Sequence, residues 1–377
     1  MNIKRLKMVD KTFVIVLLVI LTYGLVILSS ASSGISSDPY FYLKKQAIFM
    51  VIGIVLAGAV IKFDFTQLEK YSRYLYAAAI LILIIVLVLG KEVRGSTGWI
   101  GVGSMTLQPA EFVKILVILS FTEFLHKRID RLNTLWEMIP CFLYMGLPSL
   151  LVAIQPNIGL ALAFVFITLG MMLVAGANYR ILLTVFTLSV SMAILIVFLH
   201  QHYGLWMPLK DYQLQRLLVF ANPYNDGQGG RGAGWNTIQS LIAIGSGGLT
   251  GTGLYNGAQV QLNFLPEAHT DFIFAVLGEE LGFIGATLLI VLYGVLLMRT
   301  VTISFNARAF SDRLIVAGIT SMWLFHIFEN IGMCIGIMPV TGIPLPFLSY
   351  GGSSMLSNMI GVGLVLGINI KEKKIVF

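Results

Sequence analysis

Leu265-Pro-Glu-Ala-His-Thr-Asp-Phe-Ile-Phe-Ala-Val-Leu-Gly-Glu-Glu-Leu-Gly282 closes the one long polar stretch of the chain and runs directly into an apolar segment. His269, Thr270 and Asp271 stand where polar sequence gives way to apolar. In a helix, Glu279 and Glu280 lie about 12 Å deeper, at about 1.5 Å of rise per residue. The apolar segment extends to Met298, longer than the roughly 20 residues that cross a bilayer as a helix. A carboxylate at mid-bilayer costs on the order of 3 kcal/mol on insertion scales, so it is paired or meets water, and its default reading is functional. The stretch therefore reads as the edge of a site built into a membrane-spanning helix.

The sequence on either side has the same character. Of 377 residues, 57% are hydrophobic and only 11% charged, with a mean hydropathy of +0.87. Soluble domains carry about 25% charged residues, so the chain belongs to the polytopic membrane class. Apolar runs occupy 12–31, 46–62, 74–90, 109–125, 138–154, 158–176, 180–199, 271–298, 313–337 and 351–370. They are assigned as helices because lipid tolerates only helices and closed barrels. The expected architecture is an all-α multi-pass protein of about ten transmembrane helices. It forms one integral-membrane domain over 1–377, with a long extracytoplasmic loop, about 200–270, between helices 7 and 8.

Orientation follows from charge. Of the 25 Lys and Arg residues, seventeen fall on the side of the N-terminus, seven on the other, and Lys114 lies inside a run. That bias makes both termini cytoplasmic. The basic start Lys4-Arg5-Lys7 followed by an apolar run has the look of a signal peptide. The run is long for that purpose and nine more follow, so it is read as an uncleaved first helix. The net charge of +7 does not point to nucleic acid, since the basic residues are scattered at helix ends without interleaved aromatics. Cys141 and Cys334 both lie in apolar runs and read as packed thiols, not as a disulfide or metal framework.

The 200–270 segment is too long for a simple connection and needs a job or a fold of its own. Its Gly245-Ser-Gly-Gly-Leu-Thr-Gly-Thr-Gly253 run has the glycine density of a dinucleotide fingerprint, but no strand–helix unit surrounds it. Tightly turned backbone near a ligand is the better reading.

Three further groups place polar chemistry at or inside the membrane. Glu111 and Lys114, three apart after Gln108-Pro109, share a helix face; they form either a neutralised structural pair or a charged wall of an outward cavity. His326, Glu329 and Asn330 form one stripe that faces protein or water, with interhelical hydrogen bonding as its plainer role. Pro344-Leu-Pro-Phe-Leu-Ser-Tyr-Gly-Gly-Ser-Ser354 opens the last run with small residues, which suit either an anion site at a helix N-terminus or close helix packing. Asp271 itself could cap a helix rather than act as a base.

Taken together, several segments resemble the SEDS family of bacterial cell-wall polymerases. They are Gly98-Trp-Ile100, Gln108-Pro-Ala-Glu-Phe-Val-Lys114, Gln155-Pro156 with Gly159, Gln239-Ser240 with Ile242–Gly248, Leu262–Phe274 with Gly278–Gly282, and Pro339–Ser354. Leu262–Pro266, Pro339–Thr341 and the short termini resemble its rod-shape branch, RodA, more than its division branch, FtsW. The resemblance implies a multi-pass enzyme of the bacterial cytoplasmic membrane that polymerises lipid II, an undecaprenyl-diphosphate-linked disaccharide peptide, into glycan strands on the outer face during elongation. It implies a class B penicillin-binding protein transpeptidase as partner, alongside other membrane proteins of the elongation machinery. By the same likeness Asp271 matches the essential acid, and Glu111, Lys114 and Trp99 match other important positions. Gly98 stands where the family usually has Arg, with Arg94 as a substitute nearby, and Asn157 stands where it usually has Asp.

The expected chemistry has Asp271 as general base for the acceptor hydroxyl. Lys114, held by Glu111, and Arg216 counter the leaving diphosphate. Candidate substrate-binding residues are Trp99, Arg216, His269, Thr270, Ser349, Gly351, Gly352 and Ser353. No cofactor is required by this scheme, which leaves room for a divalent cation, Mg or Mn. A lipid II flippase or proton-coupled transporter using Glu279, Glu280 and Glu329 is the alternative. A scaffold that recruits a transpeptidase is a third reading, which leaves the buried charges idle.

Overall fold

Each apolar run folds as a helix, and several starts are set by one polar side chain. The computed structural model describes residues 9–33, 38–62, 68–93, 96–102, 105–129, 131–204, 206 and 211–375. Helix α1 (Lys11–Ala31) begins where Asp10 accepts from the Phe13 N–H at 2.9 Å. Helices α2 (Phe41–Val60) and α3 (Leu68–Leu89) follow, then α4 (Pro109–His126) with proline in its first turn. A Thr134–Glu137 capping box starts α5 (Leu135–Ile154), and Asn157 caps α6 (Ile158–Val174) through the Leu160 N–H. Helix α7 (Tyr179–Tyr203) ends at Gly204 in the left-handed conformation.

Within the 200–270 segment lie three short helices: α8 (Asp211–Ala221), α9 (Trp235–Ser246) and α10 (Ala258–Gln261). Helices α11 (Ile273–Asn306), α12 (Phe310–Cys334) and α13 (Gly352–Ile375) complete the chain. The ten expected runs thus correspond to α1–α7 and α11–α13. Eight of these helices are long and apolar enough to cross a membrane. The other two are α6, apolar but only 17 residues long, and α4, which carries Glu111, Lys114 and Glu123.

The bundle has an axis. The apolar windows of α13 and α12 are 83% and 72% buried, against 6% for α7. Helix α12 packs on α4, α6, α11 and α13, so its polar stripe is enclosed by protein. One end of the bundle is tied by ion pairs: Asp10 with Arg299, and Lys371 with Asp312 at 2.8 Å. The opposite end carries the 200–270 segment and the turn before α13.

Two features depart from the sequence reading. Among the described residues a small antiparallel sheet, β1 (Lys91–Val93), β2 (Ser96–Val102) and β3 (Met105–Leu107), joins α3 to α4. Its strands are too short for an alternating pattern to stand out. Trp99 lies opposite Lys91 in it, whereas Arg94, like Lys4, Arg5, Lys7 and Lys210, lies outside the described residues.

The second departure is that α11 is broken at Gly282 (φ 63°, ψ −162°). The glycine run after α9 fills the break: Phe283 and Ile284 donate to the carbonyls of Gly248 and Leu249, at 2.9 and 3.1 Å. In return Thr252 and Gly253 donate to the carbonyls of Glu279 and Glu280, each at 3.0 Å. A Cβ on Gly247 or Gly251 would overlap the α11 backbone. The run is glycine-rich because two backbones meet there, and broken helix at membrane depth is tolerated when protein satisfies it.

Candidate functional site

Asp271 is held in place by its main chain. The N–H groups of Thr270, Asp271 and Phe272 all point at the Glu267 carbonyl, at 3.1, 3.1 and 3.2 Å, which makes a tight turn ahead of α11. The cap position of α11 is Phe272, so Asp271 precedes the helix by two residues. Its carbonyl accepts from Asn330 Nδ2 at 2.8 Å, and the same amide donates to the Ile343 carbonyl at 2.8 Å. Its carboxylate faces the turn between α12 and α13: a Cβ on Gly342 would sit 3.3 Å from Asp271 Oδ2. The next residues of that turn engage the neighbours. Thr341 donates to Glu329 Oε1, and Arg216 of α8 donates to the Val340 carbonyl at 3.4 Å. Asp271 and Arg216 are both within electrostatic range of Glu329.

A second charged group lies one helical turn along α12. Lys114 pairs with Glu111 at 3.0 Å and meets His326 Nε2 at 3.1 Å. An ammonium can only donate, so Nε2 accepts and the ring proton sits on Nδ1. All three side chains are essentially unexposed. Ser357 of α13 donates to the Glu111 carbonyl at 2.7 Å, and the Gln108 N–H donates to Ser353 Oγ at 2.9 Å. The structure thus places Lys114 inside the bundle, not on a solvent-lined wall, because Glu111 and His326 already satisfy it. The stripe on α12 is the shared wall: His326 faces Lys114, and Glu329 with Asn330 faces Asp271. Its spacing was visible in the sequence. Its partners were not, because they come from α4, α8 and the turn before α13.

The small residues before α13 are occupied by the fold. Ser349 donates to the Thr270 carbonyl at 2.6 Å and accepts from the Leu345 N–H at 2.8 Å. Gln46 of α2 donates to the Ser349 carbonyl at 2.9 Å and accepts from the Gly351 N–H at 3.2 Å. The Tyr350 N–H donates to the His269 carbonyl at 2.9 Å, and the buried His269 ring packs against Tyr42 at 4.5 Å. Thr270 Oγ1 donates to Glu267 Oε2 at 3.1 Å. A Cβ on Gly352 would sit 2.6 Å from the Phe49 ring, so close packing accounts for that glycine. These residues lock the 267–271 turn to α2 and α13, and Asp271 inherits their rigidity. Glu279 and Glu280 serve the broken helix: Glu279 Oε1 accepts from the Gln259 N–H at 3.0 Å, and Glu280 Oε1 from Ser30. Among the described residues, no group of three or more His, Cys, Asp and Glu side chains converges to hold a metal ion.

The chain as a whole is similar to known proteins. The FtsW/RodA/SpoVE cell-cycle protein model matches residues 10–374. The peptidoglycan glycosyltransferase MrdB of Escherichia coli K12 is 34% identical over 367 residues, covering 97% of this chain and 94% of that one. The peptidoglycan glycosyltransferase RodA of Treponema pallidum is 32% identical over 442 residues, covering 99% and 100%. The crystal structure of the rod-shape-determining protein RodA of Thermus thermophilus superposes with a TM-score of 0.68 at 30% identity, covering 96% of both chains. A chain from a peptidoglycan synthase complex that coordinates polymerization and crosslinking superposes with a TM-score of 0.78 at 29% identity, covering 97% and 98%. With nearly its whole length matched, and with Asp271, Glu111 and Lys114 gathered along one buried helix, the chain belongs to the FtsW/RodA/SpoVE, or SEDS, family.

Proposed function

We propose that Asp271 is the general base of the peptidoglycan glycosyltransferase activity that this chain shares with its family. The protein is a multi-pass protein of the bacterial cytoplasmic membrane, and its substrate in this reading is lipid II. The charge bias places the end carrying Asp271 and the 200–270 segment outside. There an acceptor hydroxyl loses its proton to the Asp271 carboxylate and attacks the anomeric carbon of the donor. The bond from that carbon to the diphosphate breaks, and undecaprenyl diphosphate leaves. Arg216, which donates to the Val340 carbonyl of the turn before α13, offers a cation at that turn, and Lys114 adds positive potential from behind the α12 wall, kept in register by Glu111 and His326. Any divalent cation would be held chiefly by the diphosphate itself, since no metal-ligating cluster lies among the described residues.

The observation that carries this reading is the rigid mounting of Asp271 between Asn330, Gly342 and the Ser349 clamp. Such mounting suits a base that must meet a hydroxyl at hydrogen-bond range. A proton-coupled transporter would use Glu279, Glu280 and Glu329, but one oxygen of each already accepts within the fold, from Gln259, Ser30 and Thr341. A class B penicillin-binding protein fits as partner, because a solved relative sits in a complex that combines polymerization with crosslinking. The test is purified protein given lipid II in detergent, where no transmembrane gradient exists. Glycan strands are expected; movement of lipid II across vesicles without any polymer would reverse the assignment.

A further inference from the structure

No charged residue stands between Arg231 and Glu267, although water-bathed sequence is about a quarter charged. Several polar side chains of this stretch turn to the protein. Thr237, Gln239 and Ser240 of α9 are buried, and Ser246 and Thr252 donate to the carbonyls of Ala243 and Glu279, at 2.8 and 3.2 Å. What the stretch exposes is apolar in large part: Leu241 and Ile242 of α9 and, at 71%, Leu249 at the tip of the glycine run.

Two rulers give the depth of that tip. The carbonyls of Gly248 and Leu249 accept from Phe283 and Ile284, α11 residues that are 64% and 61% exposed. Ile284 stands fifteen residues before Arg299, whose ion pair with Asp10 marks the inner end of the bundle. At about 1.5 Å per residue the tip is about 22 Å from that end, inside a hydrocarbon layer about 30 Å thick. On α12, Cys334 stands twenty-one residues beyond Arg313, or about 32 Å along the axis, at the outer edge of that layer. Ser240 donates to the Cys334 carbonyl at 2.8 Å. From there α9 descends, since Gly247 lies against the Gly278 and Glu279 carbonyls, and its last six residues carry the tip about 9 Å deeper. Both rulers end in the outer half of the bilayer.

We propose that residues 235–264 form a re-entrant hairpin, which enters the bilayer from outside and seats Leu241, Ile242 and Leu249 among the acyl chains of the outer leaflet. Its backbone is admissible there because α11 satisfies it across the break at Gly282. Its apolar side chains are continuous with Phe283 and Ile284, exposed on a spanning helix at the same depth, and that continuity makes acyl chains the occupant. The neck closes where the Trp235 indole N–H donates to the Phe264 carbonyl at 2.8 Å, an amphipathic ring suited to the membrane–water boundary. The chain leaves the hairpin three residues before Glu267, so the bilayer helps to hold the turn that mounts Asp271. The hairpin stands whether or not Asp271 is the base.

The test uses Leu249→Cys in the full-length protein, in nanodiscs of phosphatidylethanolamine and phosphatidylglycerol. Asn225→Cys, at an exposed position beside Asp226, is the control in water. Cys141 and Cys334 are buried and stay in place, with the wild type giving their background. A thiol among acyl chains stays un-ionised, so Leu249→Cys should react with a charged maleimide at least about tenfold more slowly than Asn225→Cys. After labelling with the small apolar reagent monobromobimane, its fluorescence should be quenched by brominated acyl chains and not by iodide. Reaction at the Asn225→Cys rate overturns the proposal. Protection without quenching by brominated chains also overturns it, because a second copy or another protein surface then covers the tip. Should Leu249→Cys fail to accumulate, Thr250→Cys, exposed at the same tip, is read by the same two outcomes.

Discussion

Charge inside an apolar run is the residue-scale signal that the sequence carries best, because burial without a partner is too costly to be incidental. Glu111 and Lys114 stand out on that ground, and the structure buries both. Ser349, Gly351 and Ser353 were misleading in the same light: a small-residue helix start looks like an anion site until Gln46, Thr270 and Gln108 are seen bonded to it. The Lys114–Glu111 pair makes a stability prediction. Lys114→Met strands the Glu111 carboxylate and should cost about 3–5 kcal/mol, read as a lower thermal midpoint in detergent. The double variant Lys114→Met with Glu111→Leu should recover most of that loss while remaining inactive. Asp226 makes another. Its carboxylate accepts from the N–H groups of Gln228, Gly230, Gly232 and Gly234, at 2.9, 2.8, 2.7 and 3.2 Å. These bonds pull its pKa down to about 2 from 3.8. A depressed carboxyl stabilises the fold above its unfolded value, and that support fades as pH falls from about 4 toward 2. The protection of the Gly230 and Gly232 amides, referenced to the intrinsic exchange rate at each pH, should therefore be high at neutral pH and fall in acid or in Asp226→Asn.

At the scale of elements, the break in α11 and the loop that fills it are one unit. Gly282 has a backbone conformation that side chains resist, and an added Cβ would overlap the 249–251 backbone. Gly282→Ala should lower stability by about 1–3 kcal/mol and expose the 247–257 loop to protease. Gly294→Ala, on the same helix with open space around it, should change little. The glycine run and the Glu279–Glu280 pair were each visible in the sequence. Their mutual fit was not, because it joins backbone groups some thirty residues apart and leaves no periodic trace. The β1–β3 sheet escaped for a related reason: its strands are stabilised by pairing with each other and not by an apolar pattern of their own.

At the scale of the molecule, the ten helices could be read from the sequence because each needs an apolar run of membrane length. Which helices lie at the centre could not, since the most buried spans, α12 and α13, are among the less apolar ones, and on α12 it is the stripe of His326, Glu329 and Asn330 that needs enclosure. That stripe joins two charged groups, from α4 and from the start of α11, into one site at one end of the bundle. The most direct test is lipid II polymerisation by purified wild-type protein and Asp271→Asn, compared at equal amounts of folded protein with matching thermal midpoints. Loss of glycan strands by at least about a hundredfold in Asp271→Asn is the expected result for a general base. Strands made by that variant at a rate near the wild type would contradict it.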